Sequence, residues 1–145
     1  MKAFRLLIAA ASLWFACTAA LRAEPVRPNQ LQGTWAREVA STRFTISFNA
    51  DAVELKSQTP EPRYETIMHG KFSLSDGILH GVVTHITWAT QTGKGEVNDL
   101  MPFACHVEMQ DGVLKIKDFT LKGQTQDQEK QTCGSYVKDS TGNKR

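Results

Sequence analysis

Apolar side chains recur at every second position over most of this chain, and that two-residue period constrains the fold more than any other feature. It runs through Phe44, Ile46 and Phe48, then Val53 and Leu55, then Tyr64, Met68, Phe72 and Leu74. It resumes at Val82, Ile86 and Trp88, at Phe103, Cys105, Val107 and Met109, and at Leu114 and Ile116 followed by Phe119 and Leu121. Successive side chains of a strand point to opposite faces, so this is the pattern of strands with one face buried. With a first strand at Trp35 and a last one over Cys133 to Lys138, about eight strands are expected. The connections Asn49-Ala50-Asp51, Ser75-Asp76-Gly77 and Gln110-Asp111-Gly112 carry hairpin chemistry, Asp-Gly most clearly, which makes sequential strands antiparallel neighbours. No window shows an amphipathic helix, and the wholly polar Gly123 to Gln131 reads as a long exposed loop. Short hairpin-linked strands must hide their edges. The sequence therefore predicts an all-β chain forming a single antiparallel up-and-down barrel, with a two-sheet β-sandwich as the alternative. With 145 residues, 41% apolar and 22% charged, the chain fits one globular domain, and disorder, collagen and coiled coil are excluded.

The amino terminus carries a separate signal. Lys2 and Arg5 precede an almost unbroken apolar run from Leu6 to Leu21, and Ala23 offers a small residue before Glu24-Pro25. This is the pattern of a secretory signal peptide over residues 1–23. The run is shorter than the roughly 20 residues a membrane span requires and ends at Arg22, so no membrane span is expected. Residues 24–32, with Pro25 and Pro28, read as a lead-in segment, residues 33–138 as the barrel domain and residues 139–145 as a polar tail. The predicted location is periplasmic or secreted. Removing Lys2, Arg5 and Arg22 leaves fourteen basic against fifteen acidic residues, a net charge near −1. That balance offers no footprint for nucleic acid, because phosphate affinity comes from clustered Lys and Arg.

Cys17 lies in the leader, so Cys105 and Cys133 are expected to form a disulfide in an oxidising compartment. Closing that loop would stabilise the domain by about 3 to 4 kcal/mol in the chain-entropy view. The spacing is not the CxxC of a redox pair.

Leu31-Gln32-Gly33-Thr34-Trp35, followed by Arg43-Phe44-Thr45-Ile46-Ser47-Phe48-Asn49, resembles the opening of small secreted bacterial lipocalin-like proteins, whose first strand carries a GxW motif. The resemblance implies that Gly33 and Trp35 close the blocked end of the barrel, with Lys138 as the cation from the last strand, and that the open end admits an apolar ligand. Lys138 stands where Arg is commoner, and the second motif of the family is not visible around Asn98-Asp99-Leu100. Avidins share the Gly-x-Trp opening, but they box their ligand with several Trp residues, and only Trp35 and Trp88 follow the leader here. Periplasmic inhibitors of proteases and lysozyme are similar in size and secretion.

Catalytic and metal constellations find little support. In a regular strand His80 and His85 point to opposite faces and cannot chelate together without a bulge, while His69 and His106 lie opposite the apolar face. Thr92-Gly93-Lys94-Gly95 lacks the spacing of a phosphate loop, and no nucleophile elbow is present. No enzyme activity, cofactor or metal is expected. The inward-phased Tyr64, Met68, Phe72, Val82, Ile86 and Trp88 are the candidate ligand-binding residues. The function expected is that of a non-catalytic exported protein holding a small apolar ligand. The alternative is a protein-binding or inhibitor module working through loops such as Thr90 to Met101 and Gly123 to Gln131.

Overall fold

The structure, a computed structural model, describes residues 24–141. The leader assigned to residues 1–23 and the last four residues of the tail lie outside the described residues. The elements are α1 (Pro28–Leu31), β1 (Gly33–Val39), β2 (Thr42–Asn49), β3 (Ala52–Thr59), β4 (Tyr64–Ser75), β5 (Ile78–Thr90), β6 (Lys94–Val97), β7 (Met101–Gln110), β8 (Val113–Leu121), α2 (Gln126–Thr132) and β9 (Gly134–Lys138). Strands β1 to β5 form an antiparallel meander, β5 continues to β7, β8 and β9, and β9 returns to pair with β1. Eight strands thus close into an antiparallel up-and-down barrel, with β6 as one extra strand. Strand β6 pairs with residues 86–89 of β5 and β7 with residues 78–83, so the two follow one ladder along β5, broken at Asn98-Asp99-Leu100.

The two Asp-Gly connections are tight turns with both central residues at positive φ, Asp76 at 51° with Gly77 at 75° and Asp111 at 51° with Gly112 at 75°. This is the backbone that matches the right-handed twist of paired strands. The described residues bury Trp35, Ile46, Phe48, Phe72, Leu79, Val83, Phe103, Leu114, Ile116 and Tyr136 in one core. Phe48 and Phe72 meet edge to face, with ring centroids 5.0 Å apart.

Three local expectations need correction. Within Gly123 to Gln131, read as a loop, the chain forms α2: Thr125 accepts from Gln128 N–H at 3.4 Å, and the Gln128 side chain accepts from Thr125 N–H at 3.0 Å. This reciprocal cap starts a helix that needs no buried residue of its own. The lead-in holds the short α1, and Val26 and Leu31 are buried in the core. Cys105 and Cys133 are both free thiols. Cys105 points into the core from β7, and Cys133, at the end of α2, packs on that core with its sulfur accepting from Phe119 N–H at 3.4 Å. Burial, and secondarily the charge of the neighbouring Cys133, pushes the Cys105 thiol up to about 12.

Candidate functional site

Gly33, Trp35 and Lys138 come together at one end of the barrel. Trp35 is paired with Lys138 across β1 and β9, and the Lys138 ammonium lies 4.5 Å from the indole centroid. The Trp35 ring nitrogen donates to Leu31 O at 2.7 Å, which fastens α1 across this end. Gly33 holds φ 102°, a backbone that favours glycine, and Lys138 Cε and Nζ lie 3.0 Å from where a Cβ would stand as the lysine crosses to the indole. The Lys138 ammonium also donates to Gln32 O. Together with the aromatic core above it, this arrangement fills the Trp35 end.

The opposite end is hollow. A cavity of about 150 Å³ opens between the inner faces of β2, β3 and β4 and the helix α2. Phe44, Ile46, Leu55, Met68 and Phe119 supply its apolar surface, and Tyr64, Thr66, Gln124, Gln128 and Thr132 supply polar groups. Thr66 donates to the Tyr64 hydroxyl oxygen at 2.7 Å, and Tyr136 donates to Thr132 O at 2.7 Å. Burial raises the Tyr136 phenol far above its ordinary value, so it is a neutral donor at any physiological pH.

The six candidate ligand residues separate. Tyr64 and Met68 line the hollow. Phe72 is buried against Phe48 in the filled half. Ile86 packs on the core away from the hollow. Trp88, 39% exposed, covers Gly95 of β6, where a Cβ would lie 2.4 Å from the indole, and does not reach the hollow. Val82 faces outward, contrary to its expected phase. Thr84 is an extra residue of β5, lying between the pairs Gly70–Val83 and His69–His85, and a bulge there moves the inward phase from Leu79, Gly81 and Val83 to Ile86 and Trp88.

The same bulge overturns the opposite-face placement of His80 and His85. Both face outward, and His85 stacks on His69, with ring centroids 6.1 Å apart and planes at 23°. Glu54 Oε2 lies 3.4 Å from His69 Nδ1, and Asn98 Oδ1 2.6 Å from His85 Nδ1. No group of three His, Cys, Asp or Glu among the described residues is arranged to hold a metal ion.

One inward-facing cation lies outside the residues that the sequence singles out. Arg37 follows Gly33 and Trp35 at the two-residue period of β1, and its guanidinium enters the barrel, 5.5 Å from the Tyr136 centroid and 5.9 Å from that of Phe44. Both rings line the hollow. The Nη1 atom is buried with no hydrogen-bond partner among the described residues, and so is Oε1 of Gln124. The alternation itself was the available signal: a cation in phase with a core Trp.

No protein-family model matches the chain, no curated protein matches it, and no solved structure matches it. Among the described residues, no helix is long and apolar enough to cross a membrane.

Proposed function

We propose that this chain is a non-catalytic, exported binding protein of lipocalin-like design that holds a small molecule at the α2 end of its barrel, in the periplasm or outside the cell. The observation that carries the reading is the hollow: a recess of about 150 Å³ with mixed polar and apolar walls, one of which holds a buried polar atom, Gln124 Oε1, that bonds to nothing among the described residues. Buried polar groups normally find partners, and a ligand is the simplest source of the missing ones. The size sets the ligand. The hollow is far below the roughly 300 to 1,000 Å³ of drug-sized sites, so a long fatty chain does not fit, whereas a cavity of this volume accepts a single small ring. The lipocalin-like assignment is supported by the Gly33, Trp35 and Lys138 arrangement at the filled end.

The test is thermal unfolding of the natural protein with a panel of single-ring compounds and, separately, long-chain fatty acids. Single-ring compounds raise the midpoint and long chains do not; no shift with any compound at millimolar concentration overturns the reading. A second reading, a protein-binding module, is favoured by Val97 and Leu100, 47% and 66% exposed beside the break between β6 and β7. Val97→Ser and Leu100→Ser would abolish capture of a protein target under that reading and leave single-ring binding intact under the first.

A further inference from the structure

A row of polar side chains crosses the outer wall of the barrel. Glu54 of β3 is paired with His69 of β4, and His69 with His85 of β5. Their neighbours Leu55, Met68 and Ile86 pack on the core, so the row faces outward. The bulge at Thr84 brings His85 opposite His69, and bulges are over-represented where a side chain is re-aimed beside a functional site. On β6, Glu96 continues the same face in its pair with Thr87, and Asn98 follows the end of that strand. None of these residues lines the hollow at the α2 end.

The two imidazoles are stacked, with ring centroids 6.1 Å apart and planes at 23°. Asn98 Oδ1, which only accepts, lies 2.6 Å from His85 Nδ1, so that nitrogen carries the proton and Nε2 keeps its lone pair. Glu54 Oε2 lies 3.4 Å from His69 Nδ1 and favours the same tautomer there. Glu96 Oε2, 3.9 Å from His85 Nε2, sets a negative charge beside the open lone pair. An imidazole whose Nδ1 faces a carboxylate or carbonyl while Nε2 stays open has the arrangement of a metal-ligating histidine. Bonds of about 2.0 to 2.1 Å to one ion bring two such nitrogens within about 3.5 Å of each other. The rings reach that separation by turning about their side-chain bonds, since both are partly open to solvent, 47% and 32% exposed. Imidazole nitrogen suits zinc and nickel, whereas magnesium takes oxygen ligands.

We propose that His69 and His85 form a site for a divalent late transition-metal ion on the outer wall, bound through both Nε2 atoms with water completing its coordination, while Glu54 and Asn98 hold the rings. The bound ion joins β4 to β5 beside the bulge.

The experiment is calorimetric titration of the natural, untagged protein with zinc chloride, repeated with nickel and magnesium chlorides. One zinc ion binds per chain, nickel binds as well, and magnesium does not. His69→Gln and His85→Gln each weaken zinc binding by about tenfold or more, and Glu54→Gln weakens it about tenfold by releasing the His69 ring. His80→Gln and His106→Gln leave it unchanged. Parental zinc affinity in a folded His69→Gln or His85→Gln chain, loss with His80 or His106 instead, or no binding at millimolar zinc overturns the site. Unchanged affinity in Glu54→Gln overturns the orienting role of that carboxylate. A second readout needs no variant: in the proton magnetic resonance spectrum of the parent, zinc moves two of the four imidazole Cε1–H signals. Movement of one signal alone, or of all four together, overturns the pair.

Discussion

The Lys138 ammonium sits 4.5 Å above the indole of Trp35, the two residues being directly paired across β9 and β1. This contact joins the first and last strands of the barrel at its filled end, and the indole nitrogen in turn holds α1 through Leu31 O at 2.7 Å. Trp35→Ala removes the central side chain of that assembly and is expected to cost about 3 to 5 kcal/mol, a large share of a domain stability of about 5 to 15 kcal/mol. Lys138→Met removes the cation and its hydrogen bond to Gln32 O and costs about 1 to 2 kcal/mol. Urea unfolding of the two variants checks the order; a Trp35→Ala chain as stable as the parent would contradict the role given to this end.

Cys105 links stability to alkaline pH. Its folded-state pKa, about 12, lies above its ordinary value near 9, so the unfolded chain loses the proton first. The contribution is whole below pH 9 and is lost as pH rises toward 12, reaching about 4 kcal/mol at the top of that range. The unfolding midpoint of the parent therefore drops above pH 9, and that of Cys105→Ala, lower at neutral pH because of the missing side chain, drops less steeply. Parallel curves would show that Cys105 does not titrate as described. Tyr136, also raised by burial, adds its own loss above pH 10.

Gly134 and Arg37 should couple. A Cβ at 134 would collide with the guanidinium and Gly134 holds φ 145°, so Gly134→Ala destabilises the chain by about 1 to 3 kcal/mol through overpacking and backbone strain together. In an Arg37→Ala background the same change costs less, because the colliding group is gone. A double-mutant cycle in urea reads this coupling, and strict additivity would place the two apart.

Much of this architecture is legible from the amino acids because the two-residue period and the Asp-Gly turns act locally. Asp76-Gly77 and Asp111-Gly112 adopt the positive φ that their chemistry favours. Even the bulge of β8 leaves a trace: the apolar phase passes from Leu114 and Ile116 to Phe119 and Leu121, and Asp118 takes φ 51° between them. The bulge at Thr84 leaves none, because Val82 and Val83 are both apolar and either phase reads equally well; the expected phase therefore turns Val82 and His80 inward, whereas both face outward. Helix α2 was missed for a different reason. It has no apolar stripe, and only its Thr125 and Gln128 cap distinguishes it from a polar loop. The hollow depends on that helix, so the site is only partly readable: Tyr64 and Met68 come from periodicity, while Gln124 requires the closed barrel.

The cap gives a test of the helix as a wall of the site. Thr125→Ala should cost about 0.5 to 2 kcal/mol in the stability of α2 and its surroundings. Single-ring ligands should bind more weakly to it than to the parent, since Gln124, Gln128 and Thr132 shape one side of the recess. Hydrogen exchange of the α2 amides checks the first effect and titration the second; a frayed helix with undiminished binding would remove α2 from the site.

The α2 end of the barrel is tested as a ligand site most directly by nuclear magnetic resonance titration of the isotopically labelled protein with a single-ring compound such as benzyl alcohol. Shifts are expected to concentrate at the Gln124 side-chain amide, Thr66 and the Met68 methyl, with Trp35 and Lys138 unmoved. Shifts confined to Val97 and Leu100, or none at saturating ligand, would contradict that role.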